Sequence, residues 1–511
     1  MNALYSIDAI RTIERSALAD LPKGTLMQRA GNEAANLAMQ MLAKSTDIKK
    51  EVLVLAGPGN NGGDALEMAT ILANNGVNVS VLLVANRKKQ SEEAILARKK
   101  AVKSPVHWED ALSLKTTLES IRSKKWALVV DGMFGIGLKE ALTGNRQKLV
   151  EIVNTFQCPI LALDVPSGLN ANTGNIVGKD EIAVHATDTI TFIADKPGLH
   201  TRKGRDCAGK VHVVTLDVER KYFPETKCWL NSPDLFESCL KPRLEDSHKG
   251  SYGRIAIVGG AQGMSGAPVL AARAALFSGA GLCYAIYLKN PPAYDPVSPE
   301  IMFRAAHQFD FSTDVIVTGP GLGKSAAARE MVIRTIEARK PIVLDADALN
   351  ILSENEAIAQ LLPERDSPTI ITPHPLEAAR LLKTTSDAIQ ANRLEAAKEL
   401  ALRFTAIAVL KGSGTVIAAP DGKTVINPTG NPALATAGTG DVLSGITGAL
   451  IAQGRPAWEA TLAAVWLHGK AADTLAVRHH GSIGMVAGEL APEVRRQLNL
   501  LTGAKAQETK A

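Results

Sequence analysis

The chain has 511 residues, 46% of them hydrophobic, 21% charged and 4% aromatic, and a formal net charge of +5. That is enough for two or more domains with real cores, while so small a charge and so few rings exclude a nucleic-acid surface but leave room for an anionic small ligand. No apolar run reaches membrane-spanning length, and the opening MNALYSIDAIRTIERSALAD lacks the basic and apolar parts of a secretory signal, so no membrane partner is expected.

In chain order, Leu26, Ala30, Ala34, Leu37 and Met41 recur at helical spacing and predict a helix over 26–42. Apolar runs of strand length follow at 52–56, 79–84, 127–130, 160–163, 189–193 and 211–215. Their alternation with helical and loop segments predicts a mostly parallel sheet covered on both faces. Three strand-end loops carry polar chemistry. The first, Gly57-Pro58-Gly59-Asn60-Asn61-Gly62-Gly63-Asp64, has the form GxGxxG, but Asn86 and Arg87 stand where an acid would hold a ribose. An ordinary hydride-transfer site is therefore not expected. The second loop, DGMFGIG, brings Asp131, and the third, LDVPSG, brings Asp164 and Ser167. Asn61, Asp131 and Ser167 are hard oxygen donors suited to a monovalent or group-II cation, although each acid alone serves equally well as a cap.

Around 222–244 the pattern breaks in KYFPETKCWLNSPDLFESCLKPRLED, which reads as a connection between domains. A second series of strands is predicted at 255–258, 282–287, 315–318, 342–344, 369–371 and 406–410. A hairpin over 415–418 and 423–426 turns at Pro420-Asp421-Gly422, and two helices follow near 442–453 and 458–477. Glycine-rich loops recur after these strands. GGAQGMSGA ends at Ala267, and TGPGLGKS contains Gly321 but misses the P-loop because Thr318 stands at its first glycine. Asp345 and Asp347 end one strand and His374, in TPHP, another. His374 is either a satisfied loop histidine or a ligand contact. Lys411, Gly412, Ser413, Gly414 and Thr415 offer amides, an ammonium and hydroxyls to phosphates. His479 and His480 lack metal-ligand spacing and read as surface residues. The five cysteines form no CxxC and read as reduced thiols in a cytoplasmic protein.

The most informative stretch is NPTGNPALATAGTGDVLSG. Gly438, Thr439 and Gly440 precede a helix-compatible apolar run. Free N–H groups and the helix dipole then converge on one spot, an anion hole for a phosphoryl group. Asp441, next in line, is placed to take a proton from a hydroxyl in front of that hole. The plainer alternative is a glycine turn with an Asp cap.

These strings carry a resemblance. GRIAIVGG, TGPGLG, LDADALN, TPHP, KGSGT and NPALATAGTGDVLSG resemble the ADP/ATP-dependent NAD(P)H-hydrate dehydratases of the ribokinase-like superfamily, and GPGNNGGD, DGMFGIG and LDVPSGL resemble NAD(P)H-hydrate epimerases. The order is that of the bifunctional repair enzymes. The resemblance implies an α/β chain of two domains, a Rossmann-like three-layer epimerase over 1–224 and a ribokinase-like α/β/α dehydratase over 235–505. It implies an isomerase that interconverts the R and S hydrates of NADH and NADPH. It also implies a lyase that phosphorylates the S form with ADP, expels phosphate and leaves AMP. Carried over by position, Asn60, Asn61, Gly62, Gly63, Asp64, Gly135, Ile136, Gly137, Leu138, Lys139, Glu140, Ala141 and Asp164 hold the hydrate in the first half. Asp164 is the leading proton carrier there, and Asn61, Asp131 and Ser167 bind potassium. In the second half Ala267, Gly321, His374 and Asp441 contact the hydrate, Lys411 to Thr415 and Gly440 contact the adenine nucleotide, and magnesium bridges its phosphates. A cytoplasmic homo-oligomer is expected. Leu376 and Ala433 stand where the family often has glycine, which puts local loop shape in question. Two other readings compete: a small-alcohol or vitamin-precursor kinase fused to a nucleotide-binding module, and a first half that binds without catalysing.

Overall fold

The computed structural model describes residues 2–44, 50–84, 91–109, 114–178 and 182–503, so Asn86 and Arg87 lie outside it. The chain divides into two compact units, Ala3–Thr226 and Lys227–Ala511, with Asn2 grouping with the second.

The first unit is built on seven strands, β1 (Val52–Ala56), β2 (Val79–Leu83), β3 (His107–Trp108), β4 (Leu128–Gly132), β5 (Ile160–Leu163), β6 (Asp188–Phe192) and β7 (Lys210–Val214). Their order is β3-β2-β1-β4-β5-β6-β7, and every pair is parallel. The VLVLA of β1 is buried throughout. Val52, Val54 and Ala56 enter one core with the helices Ile7–Asp20, Thr25–Lys44 and Asn60–Asn74, while Leu53 and Leu55 enter another with Leu149 and Val150. A central parallel strand reads as a continuous apolar run because both of its faces are covered. The chain leaves β1 toward β2 on one side and returns to β4 on the other. A crevice therefore opens between the carboxyl ends of β1 and β4.

The second unit repeats this logic with β8 (Cys228–Leu230), β9 (Arg254–Gly259), β10 (Leu282–Tyr287), β11 (Met302–Ala305), β12 (Val315–Thr318), β13 (Ile342–Leu344), β14 (Thr369–Ile371), β15 (Ile407–Leu410), β16 (Val416–Ala418) and β17 (Thr424–Ile426). The order is β8-β17-β16-β15-β14-β13-β12-β9-β10-β11. Only β16 runs against its neighbours, and the switch point lies between β9 and β12. The helix Thr439–Ala452 lies against both the sheet and the helix Gly266–Phe277. A Cβ on Gly445 would come within 2.1 Å of the Ala271 carbonyl, and one on Gly448 within 2.6 Å of Ile255 and Val317 side chains. Glycine at these two positions is what permits so close an approach.

Besides the unforeseen helices Ile7–Asp20 and Leu490–Leu501, four features depart from the expected elements. The short strands β3 and β11 are additional, since so few residues carry no readable alternation. The segment read as a connection contains β8, which pairs in parallel with β17 and is pinned by Asn231, whose amide donates to Asn427 Oδ1 at 3.0 Å. Residues Asn60 to Asp64 form the first turn of the Asn60–Asn74 helix rather than a loop. The helix of the GTGD motif begins at Thr439 rather than near 442, after Gly438 in the left-handed region at φ 88°.

Candidate active sites

At the β1/β4 crevice lies a cavity of about 440 Å³. Asn60, Asn61, Asp64, Gly135, Ile136, Gly137, Leu138 and Asp164 line it. Gly62, Gly63, Lys139, Glu140 and Ala141 do not. Helical rotation turns Gly62 toward the Gly57 carbonyl and Gly63 toward Met27, Ala141 packs on Gly178, and Lys139 and Glu140 face solvent. The N-terminal helix adds Arg11 and Glu14 to the wall, and Glu93 joins from a neighbouring helix. No motif announced these three, because their helices carry only amphipathic patterning.

Asp164 occupies a left-handed backbone position, φ 64°, just past β5, a conformation that costs a non-glycine residue free energy. Its carboxylate is 2.9 Å from the Lys196 ammonium and accepts the Ile136 N–H at 3.2 Å. Lys196 has no exposed surface and donates also to Thr191 Oγ1 and to the Phe192 and Ala194 carbonyls. A Cβ on Gly135 would stand 2.8 Å from Asp164 Oδ2 and 3.5 Å from the Asn61 side chain, so glycine there lets these groups share one wall. Burial, reinforced by the Asp164, Glu14, Glu93 and Glu67 charges, drives Asp64 well above the ordinary carboxylate value. Burial first and the Asp164 and Glu93 charges next also raise Glu14. The cavity thus pairs an acid held against a lysine with acids that resist ionisation, an arrangement able to exchange protons with a bound ring.

Behind this wall sit Asp131 and Ser167, both fully buried. Asp131 accepts the Ser167 N–H at 2.7 Å, the Ser167 hydroxyl at 2.6 Å and the Met133 N–H at 3.2 Å. Burial outweighs these bonds and lifts Asp131 to about 6. Both side-chain polar atoms of Asn61 are buried without a hydrogen-bond partner. An orphaned amide and a buried carboxyl supplied only by neutral donors offer oxygens that could hold a cation. Among the described residues no cluster of three or more His, Cys, Asp or Glu suits a metal on its own.

In the second unit the loops after β9 and β12 meet at the switch point. Gly321 lies at φ 58°, and a Cβ there would be 2.6 Å from the Met264 carbonyl and 3.3 Å from Ala267 Cβ. TGPGLGKS is no P-loop: Lys324 points to Glu354, and Ser325 caps the Ala326–Glu337 helix. Gly438, Thr439 and Gly440 form the start of the Thr439–Ala452 helix, with Asp441 in its first turn. A Cβ on Gly440 would be 3.4 Å from Lys411 Nζ and 3.9 Å from Asp345 Oδ2, which brings the KGSGT, LDADALN and GTGD strings to one point. Lys411 Nζ is 2.8 Å from Asp345 Oδ1, and Ser444 donates to Asp345 Oδ2 at 2.6 Å. Burial would raise Asp345, yet Lys411, Ser444 and Thr372 together hold it below its ordinary value. Asp441 is different: burial and then the Asp345 charge raise it to about 6 against the pull of Lys411.

His374 serves first as a helix cap. Its Nδ1 accepts the Leu376 and Glu377 N–H groups, its own N–H donates to Glu377 Oε2, and its other ring nitrogen lies 3.3 Å from Glu377 Oε1. Burial, then the Lys411 charge, lowers it, so it is neutral near pH 7. Leu376 sits inside the helix Pro375–Leu381 and Ala433 in the turn Pro432–Leu434, where glycine is not needed. Four supporting residues were not singled out in the sequence. Ser444 braces Asp345. Glu377 is raised by burial to about 7. His468, lowered by burial to about 4, bonds the Thr439 carbonyl at 2.9 Å. Arg393, the fourth, is 1% exposed and donates to the Leu410 and Lys411 carbonyls at 2.9 and 3.2 Å. Ser444 sits one turn past Asp441 on the same helix and Glu377 one turn past His374, while His468 and Arg393 reach the site from helices of their own. His479 lies on the surface 3.4 Å from Glu489.

A family model described as the YjeF-related protein N-terminus matches residues 23–198, and one described as NAD(P)H-hydrate dehydratase matches residues 255–496. The bifunctional NAD(P)H-hydrate repair enzyme Nnr of Escherichia coli (strain K12) is 37% identical over 508 residues, which cover 98% of this chain and 94% of that protein. The ADP-dependent (S)-NAD(P)H-hydrate dehydratase of Neisseria meningitidis serogroup B is 45% identical over 273 residues, 52% of this chain and 92% of its own. Among solved structures, an ADP/ATP-dependent NAD(P)H-hydrate dehydratase from Bacillus subtilis, co-crystallised with ATP and Mg2+, is 32% identical with a TM-score of 0.48, covering 53% of this chain and 98% of its own.

Proposed function

Because the chain belongs to the bifunctional NAD(P)H-hydrate repair enzymes, an epimerase joined to an ADP-dependent dehydratase, we propose that its two crevices act in turn on the same damaged dinucleotide. In the first, Asn60, Asn61, Asp64, Gly135 to Leu138 and Asp164 bind the hydrate, and Asp164, oriented by Lys196, moves the proton that interconverts R and S. In the second, Ala267, Gly321 and His374 hold the S hydrate while Lys411 to Thr415 and Gly440 hold ADP. Asp441 takes the proton of the ring hydroxyl, and the hydroxyl oxygen attacks the β-phosphoryl group. The bond to AMP breaks, and the Gly438–Gly440 N–H groups with Lys411 stabilise the charge in flight. The phosphate ester then leaves as phosphate together with a ring proton, restoring the nicotinamide double bond. Phosphate departs readily where hydroxide does not.

The observation that carries this reading is Asp441 itself: a carboxyl near pKa 6, in the first turn of a helix whose glycine-rich start faces Lys411. Its affinity for a proton suits a general base working near neutrality. The orphaned Asn61 amide supports a potassium ion on Asn61, Asp131 and Ser167; bound there, it would offset the buried Asp131 charge and hold the Asn61 turn. A magnesium ion carried on the nucleotide suits a site whose carboxylates include Asp345, Asp347 and Asp441. We further propose a cytoplasmic homo-oligomer, which light scattering of the purified chain would test.

The enzymatic test supplies the R and S hydrates of NADH separately, with and without ADP. The S form should regain NADH absorbance only with ADP, and the R form should do so at a rate beyond spontaneous epimerisation. No recovery from either form, or release of a stable phosphorylated alcohol, overturns the proposal in favour of a kinase.

A further inference from the structure

The second unit holds another cavity, of about 1000 Å³, that the repair chemistry does not use. It lies at the far ends of the two helices whose first turns build the dehydratase site. Gly266–Phe277 begins beside Ala267 and ends at Ser278, while Thr439–Ala452 begins with the GTGD turn and ends at Gln453, and both ends line this cavity. Lys241, Arg243, Arg455 and Arg495 line it as well, against a single carboxylate, Glu459.

The bland explanation is that these cations answer helix C-termini. Three helices end here, the third being Leu490–Leu501. Each such end carries roughly half a negative charge. Three ends and Glu459 together offset roughly two and a half of four positive charges, so an excess of roughly one and a half remains. Specific bonds do not exhaust the donors either. Arg243 donates to the Gly279 carbonyl at 2.5 Å and stacks on Tyr252, 3.8 Å from the ring centre. Arg455 donates to the Cys239 carbonyl and, at 3.4 Å, to Gln453, yet its buried Nε–H has no partner. Arg495 lies over the Phe277 ring at 4.8 Å and is exposed. Ser278 has no exposed surface, and its hydroxyl has no hydrogen-bond partner. A buried hydroxyl and a buried guanidinium N–H, both unanswered behind the wall of one positively charged cavity, are donors of the kind a phosphoryl oxyanion accepts from once the wall admits it.

We propose that this cavity binds a small phosphoryl anion of about two negative charges, free or carried on a metabolite, and that its occupancy shifts the dehydratase site through the two shared helices. Those helices are packed glycine to backbone, with Gly445 against Ala271, so a displacement at one end is not absorbed by side-chain play.

The test uses the full-length protein saturated with ADP, to fill the catalytic phosphate site, and titrated with inorganic phosphate, pyrophosphate and AMP. Uptake of phosphate or pyrophosphate identifies a free anion, and uptake of AMP alone identifies a carried one. The Arg243→Gln/Arg495→Gln double variant should weaken that uptake about tenfold or more, and salt should weaken it in the parent. Arg495→Gln alone, at an exposed position, should weaken it in part and guards against misfolding. The anion should also change the KM for ADP at least about twofold in the parent and not in the double variant, whereas simple competition at the catalytic site would persist in both. No uptake by the ADP-saturated parent, equal uptake by the double variant, or an ADP KM indifferent to the anion each overturns the proposal. Turnover without added anion should match the parent, so failure here is distinct from failure of the repair reaction.

Discussion

At the scale of single residues, the two halves concentrate their chemistry in buried acids that differ in what faces them. Asp345 is held ionised by Lys411 and Ser444, while Asp441, in the field of the same lysine, is left near 6. Removing the base should cost roughly two to four orders of magnitude in dehydration. Asp441→Asn is therefore expected to abolish ADP-dependent recovery while epimerisation continues, measured as R/S exchange by chromatography. A base works only when ionised, so the dehydration rate should rise as pH climbs through about 6 and level off above it. A pH profile flat from 5 to 8 would remove Asp441 from that role.

Asp131 allows a second residue-scale prediction. Its folded value, about 6, lies above the unfolded carboxylate value. The folded state then binds the proton more tightly, so stability falls as pH rises from the unfolded carboxylate value to about 6 and levels off above it. A cation that binds the ionised form counters this only where Asp131 is ionised. Potassium should consequently raise the melting temperature more at pH 7.5 than at pH 5, read by calorimetry. An equal shift at both values, or the same shift in Asp131→Asn, would rule the site out.

At the scale of elements, the turns matter more than the helices they open. Arg393 spends a fully buried guanidinium on the backbone carbonyls of Leu410 and Lys411 and lies against Gly412, where a Cβ would come within 2.9 Å of it. That arrangement shapes the Lys411–Thr415 turn without touching a ligand itself. Arg393→Lys should raise the KM for ADP about tenfold, the consequence of roughly 1.4 kcal/mol of lost positioning, with kcat less affected. Steady-state kinetics should show that split with epimerisation intact; a fall in both activities would mark a purely structural residue. In the first unit, Gly135→Ala would press a methyl group to 2.8 Å from Asp164 Oδ2. Epimerisation should fall roughly tenfold or more, as misplacement of a reacting group requires, while the S hydrate is still repaired. Much of this was legible beforehand. β1, β9 and their glycine-rich ends were visible because central parallel strands are apolar throughout and their turns demand glycine. The helical state of Asn60 to Asp64 was not, since two glycines in a row argue against a helix unless close packing on Gly57 and Met27 imposes one. The strand β8 escaped because its three residues pair with β17, nearly two hundred residues later.

At the scale of the whole molecule, the two units carry separate switch-point crevices, and each should be silenced alone. Asp164→Asn is expected to leave ADP-dependent repair of the S hydrate untouched and to reduce repair of the R hydrate to the spontaneous epimerisation rate. Coupled progress curves on single epimers would show it; loss of S repair in that variant would mean the crevices are not independent.

From the chain alone came the α/β alternation in two series, the glycine turns at strand ends, and the identity of the acids that face them. These follow from local rules: period, apolar runs and the conformations only glycine adopts easily. The tertiary structure alone decided which acids are ionised, which residues line the first cavity and which stand behind it, and what braces them. Lys196 under Asp164, Ser444 under Asp345 and Arg393 behind Lys411 are set by burial and by distances between remote segments. Burial is a property of the packed whole, and no stretch of sequence carries it by itself.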